Sequence, residues 1–323
     1  MAPFNLNQVI RGLKGSYQII KILKPHVFQA KIEGTSTFVA IKSPPSHNNV
    51  MFETESDTYE FDCIRNCLFI RSLRERIQDS ENQCLVLEWM DHTLWDTKDE
   101  SLQAKTRIFK TVARSCLNGL KAFSDMDGQG VSVHADLNPN NILITGFSSA
   151  TPVVKVADLG CSSTVYDPPR PQLKLRPQGD AIRAPEIWKG EGLTPAADIW
   201  SLGVSLAHWM AAKAIFGKSG RTVKTNLPQE VNEAGWSIAK LHRLRDSPLR
   251  GPIQEPWAMD WAVAVHFIES DLAGLSTSLR ETLVQTGVSS ELIDFIEYLL
   301  VVEPTERPSA DDALAHPFLA QGL

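Results

Sequence analysis

The sequence predicts an α+β protein of two lobes, a small lobe rich in β-strands with one main helix and a larger lobe that is mainly helical. Two patterns carry this prediction. Short runs rich in Ile and Val occupy the first 90 residues, whereas longer segments with apolar residues at three- and four-residue steps dominate the rest. We therefore expect one lobe over residues 1–90 and the other over residues 91–323.

The small lobe is predicted to contain three strands and one helix. Residues 17–23, 38–42 and 84–89 are short runs of β-branched and other apolar residues, which is typical of strands. Residues 56–68 are polar with spaced apolar positions, and this pattern predicts the helix.

The larger lobe begins with the strongest helical pattern in the chain. Apolar residues recur at helical steps from Ile108 to Phe123, and further helices are predicted around 199–212, 236–244 and 290–301. Residues 161–179 contain four prolines, which predict a loop or extended segment. Long ordered loops of this kind usually serve a function.

Composition and charge narrow the range of partners. The chain has 43% hydrophobic and 22% charged residues and a net charge of −6. Nucleic-acid binders usually carry a basic surplus, so no direct nucleic-acid partner is expected, whereas an acidic surface would attract a basic protein. The five cysteines lack metal-like spacing, and no signal core or membrane-length apolar run is present. We expect a monomer in the cytoplasm or nucleus, without membrane attachment.

The first chemical motif is HADLNPNNIL at residues 134–143. Asp136 is followed five residues later by Asn141 and then by a short apolar run. A carboxylate can orient a hydroxyl nucleophile and accept its proton, and an amide oxygen can help to hold a metal ion. Because Asp and Asn are also common in turns, the motif needs support from the rest of the chain.

A second acidic residue, Asp158, ends an apolar segment in KVADLG at residues 155–160. A carboxylate at this position can bind a Mg²⁺ ion that bridges phosphates, and Gly160 allows the backbone to turn sharply. Taken alone, the motif is better explained by a strand that ends in a tight turn.

The order of the motifs decides between these interpretations. VAIK at 39–42 precedes the two acidic motifs, and APE at 184–186, DIWSLG at 198–203 and EPTERPS at 303–309 follow them. This spaced set resembles the protein kinase family across nearly the whole chain. The resemblance implies the bilobal protein kinase fold, with ATP and Mg²⁺ as cofactors.

The resemblance also implies catalytic roles for matching residues. Lys42 would grip the α- and β-phosphates of ATP. As a cation in an apolar strand it needs a carboxylate partner, for which Glu60 is the first choice and Glu55 the alternative. Asp136 would be the catalytic base.

Metal-binding and scaffolding residues follow from the same match. Asn141 and Asp158 would bind Mg²⁺. Glu186 and Arg307 would form a structural ion pair, and Asp198 would accept backbone hydrogen bonds from the catalytic loop.

The segment LEWM at residues 87–90 resembles the hinge between the lobes. Backbone groups of Glu88 and Met90 would bond the edge of adenine. Val27, Ala40 and Leu143 would enclose the ring of the base.

Several residues depart from the family pattern. The turn that should cover the phosphates, LKPHVFQA at residues 23–30, is shortened and contains no glycine, so side chains would keep backbone N–H groups from the phosphates. Ala135 replaces an arginine that usually receives an activating phosphate. Asn138, which we place among the catalytic residues, stands where serine/threonine kinases carry a lysine, and Gly179 stands where they carry a threonine.

The finer motif details are similar to SR-protein kinase-like serine/threonine kinases, including fungal-type kinase-like proteins. The similarity lies in Leu159 of the Asp-Leu-Gly motif and in residues 192–201 and 238–244. It implies a protein substrate that is basic or rich in Arg and Ser.

Three functions are compatible with these observations. A protein serine/threonine kinase is the leading hypothesis, because Lys42, Asp136, Asn141 and Asp158 are all present. A pseudokinase that works as a scaffold is the alternative, based on the missing glycines, Asn138 and Gly179. A kinase of small molecules shares the catalytic loop, but the APE motif and Arg307 speak against it.

Overall fold

The fold is taken from a computed structural model of the chain. It describes residues 4–46, 49–79, 83–124, 126, 131–164, 176–221, 223, 225–246, 250–252, 255–270 and 277–320.

The amino-terminal part is one antiparallel sheet of six strands in the order β1-β2-β3-β4-β6-β5. The strands are β1 (Val9–Gly12), β2 (Gly15–Lys24), β3 (Val27–Ile32), β4 (Phe38–Lys42), β5 (Leu73–Gln78) and β6 (Gln83–Glu88). Two helices, α1 (Val50–Thr58) and α2 (Asp62–Arg65), lie between β4 and β5 in the chain.

Successive side chains of β4 point to opposite faces of this sheet. Ile41 belongs to an apolar cluster with Ile19 and Phe28 on one face. Ala40 belongs to a second cluster on the opposite face, where Phe52 and Tyr59 of the helical segment also pack. Successive strand residues point to opposite faces, so Lys42, two residues after Ala40, shares the helix-facing side.

The remainder of the chain is mainly helical. Its helices are α3 (Leu102–Lys121), α4 (Pro185–Lys189), α5 (Pro195–Met210), α6 (Gln229–Arg245), α7 (Ala258–Glu269), α8 (Leu279–Gln285), α9 (Ser290–Leu299), α10 (Ala310–Ala315) and α11 (Pro317–Ala320). One large buried core, to which α3, α5, α6 and α9 contribute, joins most of these helices. None of the described helices has both the length and the apolar character needed to cross a membrane.

Two small sheets lie within the helical part and position its polar loops. Strands β7 (His92–Thr93), β9 (Ile142–Thr145) and β10 (Val153–Val156) form one sheet in the order β10-β9-β7. Strands β8 (Ser132–Val133) and β11 (Ser163–Thr164) form the other. As a result, the loop before β9 and the turn after β10 come side by side.

The predicted two-lobed α+β fold is confirmed, whereas the bounds of the predicted helix at 56–68 are wrong. Helix α1 begins at Val50 because the side chain of Asn49 accepts a hydrogen bond of 3.0 Å from the N–H of Phe52. It ends at Thr58, and a separate short helix follows. Of the predicted loop at 161–179, residues 165–175 lie outside the described residues.

His208, on α5, makes the stability of the helical part dependent on pH. It is buried, and its Nε2 accepts a hydrogen bond of 3.0 Å from the N–H of Phe216. Burial and the nearby Lys240 lower the pKa of His208 to about 3.

We expect acid to destabilise the fold through this residue. The unfolded chain takes up a proton on His208 near pH 6.5, whereas the folded chain resists it until about pH 3. Stability therefore falls as the pH drops from 6.5, by about 1.4 kcal/mol per pH unit for this residue. Urea denaturation between pH 7 and pH 4.5 measures the slope. His208→Gln should show a smaller slope, and equal slopes would contradict the prediction.

Candidate active site

A cleft of about 390 Å³ lies between the six-stranded sheet and the β7-β9-β10 sheet. Val27, Ala40 and Leu143, which we predict to enclose a base, all line it, and so does Met90. Sequence positions more than 100 residues apart thus form the apolar walls of one cavity.

Lys42, at the end of β4, makes two ion pairs in this cleft. Its Nζ lies 2.5 Å from Oε2 of Glu55 on α1 and 2.9 Å from Oδ1 of Asp158. Burial disfavours the ammonium, but the two carboxylates outweigh this effect and raise the pKa of Lys42. The side chain therefore stays charged and is held in place from two sides.

The choice of Glu60 as the carboxylate partner of Lys42 is wrong. Glu60 follows the end of α1 and is exposed, whereas Glu55, the alternative, is buried against Lys42. Because α1 ends at Thr58, Glu60 lies beyond its last turn, whereas Glu55 is on the helix and faces Lys42.

Asp136 and Asn141 form the second polar group of the cleft region. The Nδ2 of Asn141 donates bonds of 2.8 Å to both the backbone oxygen and Oδ2 of Asp136, which leaves the Oδ1 of Asn141 for another partner. Burial raises the pKa of Asp136, and the carboxylate of Asp158 adds to the rise, against hydrogen bonds from Asn138 and Asn141. A carboxylate with a raised pKa is a better proton acceptor.

Asp158 takes a left-handed backbone conformation, with φ of 63° and ψ of 76°. This conformation turns the chain immediately after β10 and brings the carboxylate towards Lys42. Burial by itself would raise the pKa of Asp158, but Lys42 outweighs it and the pKa is lowered. The following Gly160 packs so tightly on α1 that an added β-carbon would lie 2.9 Å from the backbone oxygen of Met51.

Oxygen ligands of this kind suit a hard cation such as Mg²⁺. Asn141 and Asp158 both line the cleft. In the described part of the chain, no group of three or more His, Cys, Asp or Glu side chains is arranged to hold a metal. A cation held by these two side chains would therefore complete its shell with ligand oxygens and water.

Some backbone groups of the hinge segment are already hydrogen-bonded within the protein. The N–H of Glu88 donates to the backbone oxygen of Ser72 at 2.9 Å, and its carbonyl accepts a bond of 2.7 Å from Nε of Arg71. The carboxylate of Glu88 bonds Lys155 at 2.7 Å. The backbone of Met90 makes no hydrogen bond among the residues that the structure describes, so it keeps both a donor and an acceptor for a ligand.

The turn beside the cleft mouth is a tight hairpin. Lys24 pairs with Val27 at the ends of β2 and β3, so only Pro25 and His26 connect the two strands. Lys24 lines the cleft, whereas Nδ1 of His26 lies 3.4 Å from Oγ of Ser43. The hairpin offers a lysine side chain in place of a run of backbone N–H groups.

A groove of about 530 Å³ adjoins Asp136 on the side of the helical lobe. Asn138 and Gly179, the two departures noted above, both line it. An added β-carbon at Gly179 would lie 3.9 Å from Oδ1 of Asp136. The side chain of Asn138 is engaged within the loop, since its Oδ1 accepts a bond of 2.9 Å from the N–H of Asn140.

Two buried acidic residues hold the loops around the site. Asp198 accepts hydrogen bonds of 2.7 and 2.9 Å from the backbone N–H groups of His134 and Ala135. Glu186 forms a two-pronged ion pair with Arg307, at 2.7 and 2.9 Å, in which both side chains are almost fully buried. Ala135 has a φ of 62°, a strained conformation that these bonds help to maintain.

Arg71 is a charged cleft residue that the sequence predictions missed. It lines the cavity between the sheet and the catalytic residues. The only signal in the sequence is a charged residue directly after the apolar LFI at 68–70, which by itself also fits an exposed arginine at a strand end.

Comparison with known proteins identifies the family of the chain. The family profile described as "Protein kinase domain" matches residues 25–319. The chain is similar to "Cyclin-dependent kinase 7" of Dictyostelium discoideum, with 25% identity over 336 residues covering 100% of this chain and 81% of the relative. It is 27% identical over 271 residues to "Serine/threonine-protein kinase SSN3" of Yarrowia lipolytica, covering 78% and 61%. "Homeodomain-interacting protein kinase 2" of Mus musculus is 24% identical over 357 residues, covering 97% and 28%.

Proposed function

This chain belongs to the protein kinase family, and on that premise we propose that it transfers the γ-phosphate of ATP to a serine or threonine hydroxyl of a protein substrate. The observation that carries the proposal is the pairing of Lys42 with both Glu55 and Asp158, beside the linked Asp136 and Asn141. These groups come from four separate segments of the chain. Lys42, Glu55, Asn141 and Asp158 line one cleft, and Asp136 is joined to it through its hydrogen bond with Asn141.

Each group then has a task in the proposed reaction. Lys42 binds phosphate oxygens, and Asp136 orients the attacking hydroxyl and accepts its proton. Asn141 and Asp158 would hold Mg²⁺, which when bound would neutralise charge on the phosphates. Asn138 borders the groove where the hydroxyl would enter, and we assign it to substrate positioning.

The protein substrate is proposed to be basic. The net charge of −6 favours association with a positively charged segment. A substrate rich in Arg and Ser rests on the motif resemblance to SR-protein kinases alone, because the relatives named above bear other names.

Transfer of labelled phosphate tests the proposal. The full chain is incubated with γ-labelled ATP, Mg²⁺ and a mixture of basic peptides that contain Ser, Thr or Tyr, and the phosphorylated amino acid is identified. Label on Ser or Thr supports the proposal. Label on Tyr alone, or none above an Asp158→Asn control, contradicts it.

The tight hairpin favours a second candidate, a scaffold that works without phosphoryl transfer. Its connection of two residues presents no glycine-rich backbone to phosphates. Thermal unfolding with ATP, with and without Mg²⁺, separates the candidates. A protein that binds ATP·Mg²⁺ gains stability in proportion to the logarithm of the ligand concentration, whereas a scaffold shows no shift at millimolar ATP.

The two candidate partners of Lys42 give a matched pair of variants. We expect Glu55→Gln to lower kcat/KM for ATP by roughly tenfold to hundredfold, because a charged hydrogen bond to Lys42 contributes about 1.5–3 kcal/mol. Glu60→Gln, on the exposed side, should leave kcat/KM within about twofold of the original value. Steady-state kinetics at varied ATP decides the matter, and an equal loss in both variants would contradict the assignment.

A further inference from the structure

Arg71 is held at the inner end of the cleft by its own backbone. Its N–H donates to the backbone oxygen of Val156 at 2.8 Å, and its carbonyl accepts a bond of 2.8 Å from the hydroxyl of Tyr59. These contacts tie the residue to β10 and to the end of α1, so the origin of the side chain is fixed.

The side chain is oriented as well. Its Nε donates to the carbonyl of Glu88 at 2.7 Å, which places the guanidinium at the hinge. Arg71 is partly exposed and lines the cavity, and its two terminal NH₂ groups have no hydrogen-bond partner within the part of the chain described above. The fixed guanidinium therefore presents free donors to the cleft.

The acidic groups around Arg71 form ion pairs with other residues. Glu55 and Asp158 act on it electrostatically, but both contact Lys42. The carboxylate of Glu88 contacts Lys155. No carboxylate of the described residues lies within 4.0 Å of the guanidinium, so a bound ligand would meet its donors without having to displace an ion pair.

We infer that Arg71 reads the base of the nucleotide and favours guanine over adenine, an inference that rests on the proposed use of this cleft for a nucleoside triphosphate. Guanine presents two acceptors on one edge, O6 and N7, and a guanidinium pairs with both at once. Adenine presents an amino group at the first of these positions, which would face the donors of Arg71. The Glu88 carbonyl that could accept from that amino group already accepts from Arg71.

The protein groups that face the opposite edge of the base do not discriminate between guanine and adenine. Met90 offers both a backbone N–H and a backbone carbonyl, so it can accept from the N1–H of guanine or donate to N1 of adenine. The selectivity therefore depends on Arg71. Contact with Arg71 predicts that O6 and N7 of the base determine the affinity. Inosine triphosphate, which keeps O6 and N7, should bind like GTP, whereas 7-deaza-GTP, which lacks N7, should bind more weakly.

Nucleotide affinities of the full chain test the inference. Dissociation constants for GTP, ATP, inosine triphosphate and 7-deaza-GTP are measured by calorimetry in the presence of Mg²⁺. We expect GTP to bind at least as tightly as ATP, and Arg71→Met to weaken GTP by roughly tenfold or more relative to ATP, as expected for loss of a two-pronged contact. The control is Arg74→Met, which changes an exposed arginine three residues further along, on β5, and should leave the ratio unchanged.

The outcomes separate this inference from the proposed function. The two affinities are measured on the same preparation of each variant, so the effect of partial unfolding cancels in their ratio. Arg71→Lys provides a second variant, in which a single point charge replaces the guanidinium. ATP binding that exceeds GTP binding by tenfold in the unaltered protein overturns the inference and leaves the proposed kinase intact. The same holds if Arg71→Met does not change the ratio. If none of the four nucleotides binds, both this inference and the proposed kinase function are overturned.

Discussion

Replacing Asp136 by Asn is expected to lower the rate of phosphoryl transfer by about 10²–10⁴-fold, the range for loss of a general base. The amide has the same shape and can still accept the hydrogen bond from Asn141, but it cannot take up a proton. The effect should therefore appear in kcat, while the dissociation constant for ATP·Mg²⁺ stays within about threefold of its original value. Initial rates with γ-labelled ATP and calorimetric titration of the same preparations measure the two quantities.

A suitable control for this variant is Asp99→Asn. Asp99 pairs with Lys98 on the surface, where its side chain is 75% exposed, and it should not alter transfer. If Asp136→Asn retained a kcat within threefold of the original, Asp136 would not be the base and the assignment of the catalytic loop would have to be revised.

Replacing Arg307 by Met is expected to destabilise the helical part by about 3–5 kcal/mol. The guanidinium donates to both oxygens of Glu186 and to the backbone oxygens of Ala196, Val301 and Val302. Its removal would leave the carboxylate of Glu186 buried without its charge partner, and the penalty for an isolated buried charge dominates the effect. Urea denaturation followed by tryptophan fluorescence measures the loss.

Two further variants distinguish the cause of that loss. Lys121→Met breaks an ion pair with Asp311 whose side chains are 43% and 74% exposed, and it should cost less than about 1 kcal/mol. The double variant Glu186→Gln with Arg307→Met removes both charges and should recover part of the stability lost by Arg307→Met alone. A double variant less stable than the single one would show that the charge left on Glu186 is not the source of the loss.

Element types could be predicted better than element ends. The runs at 17–23, 38–42 and 84–89 correspond to β2, β4 and β6, because alternating and β-branched apolar residues have few other ways to be buried. The helix predicted at 56–68 begins six residues earlier and is divided in two, because the side-chain cap at Asn49 and the packing of Tyr59 decide where the turns stop. Such limits depend on contacts with other segments.

The same distinction applies to the site. The motifs around Lys42, Asp136, Asn141 and Asp158 could be recognised because each is a local pattern of fixed spacing. The partner of Lys42 could not be chosen from spacing alone, since Glu55 and Glu60 both precede the next strand. Only the bounds of α1 place Glu55 on the helix beside Lys42 and Glu60 beyond its end. Arg71 belongs to no motif, and its place in the cleft follows from the pairing of β6 with β5 and from the bridge between Ile70 and Val156.

The amino-acid sequence by itself determined the two-lobed fold and the polar residues that it assembles, because hydrophobic periodicity and motif order are properties of neighbouring positions in the chain. Only the tertiary structure decided which carboxylate holds Lys42, how short the hairpin at Pro25 and His26 is, and that a guanidinium faces the hinge. The physical reason is that side-chain direction, helix phase and strand register are settled when distant segments pack together. A change of one residue in register moves a side chain to the opposite face of its strand.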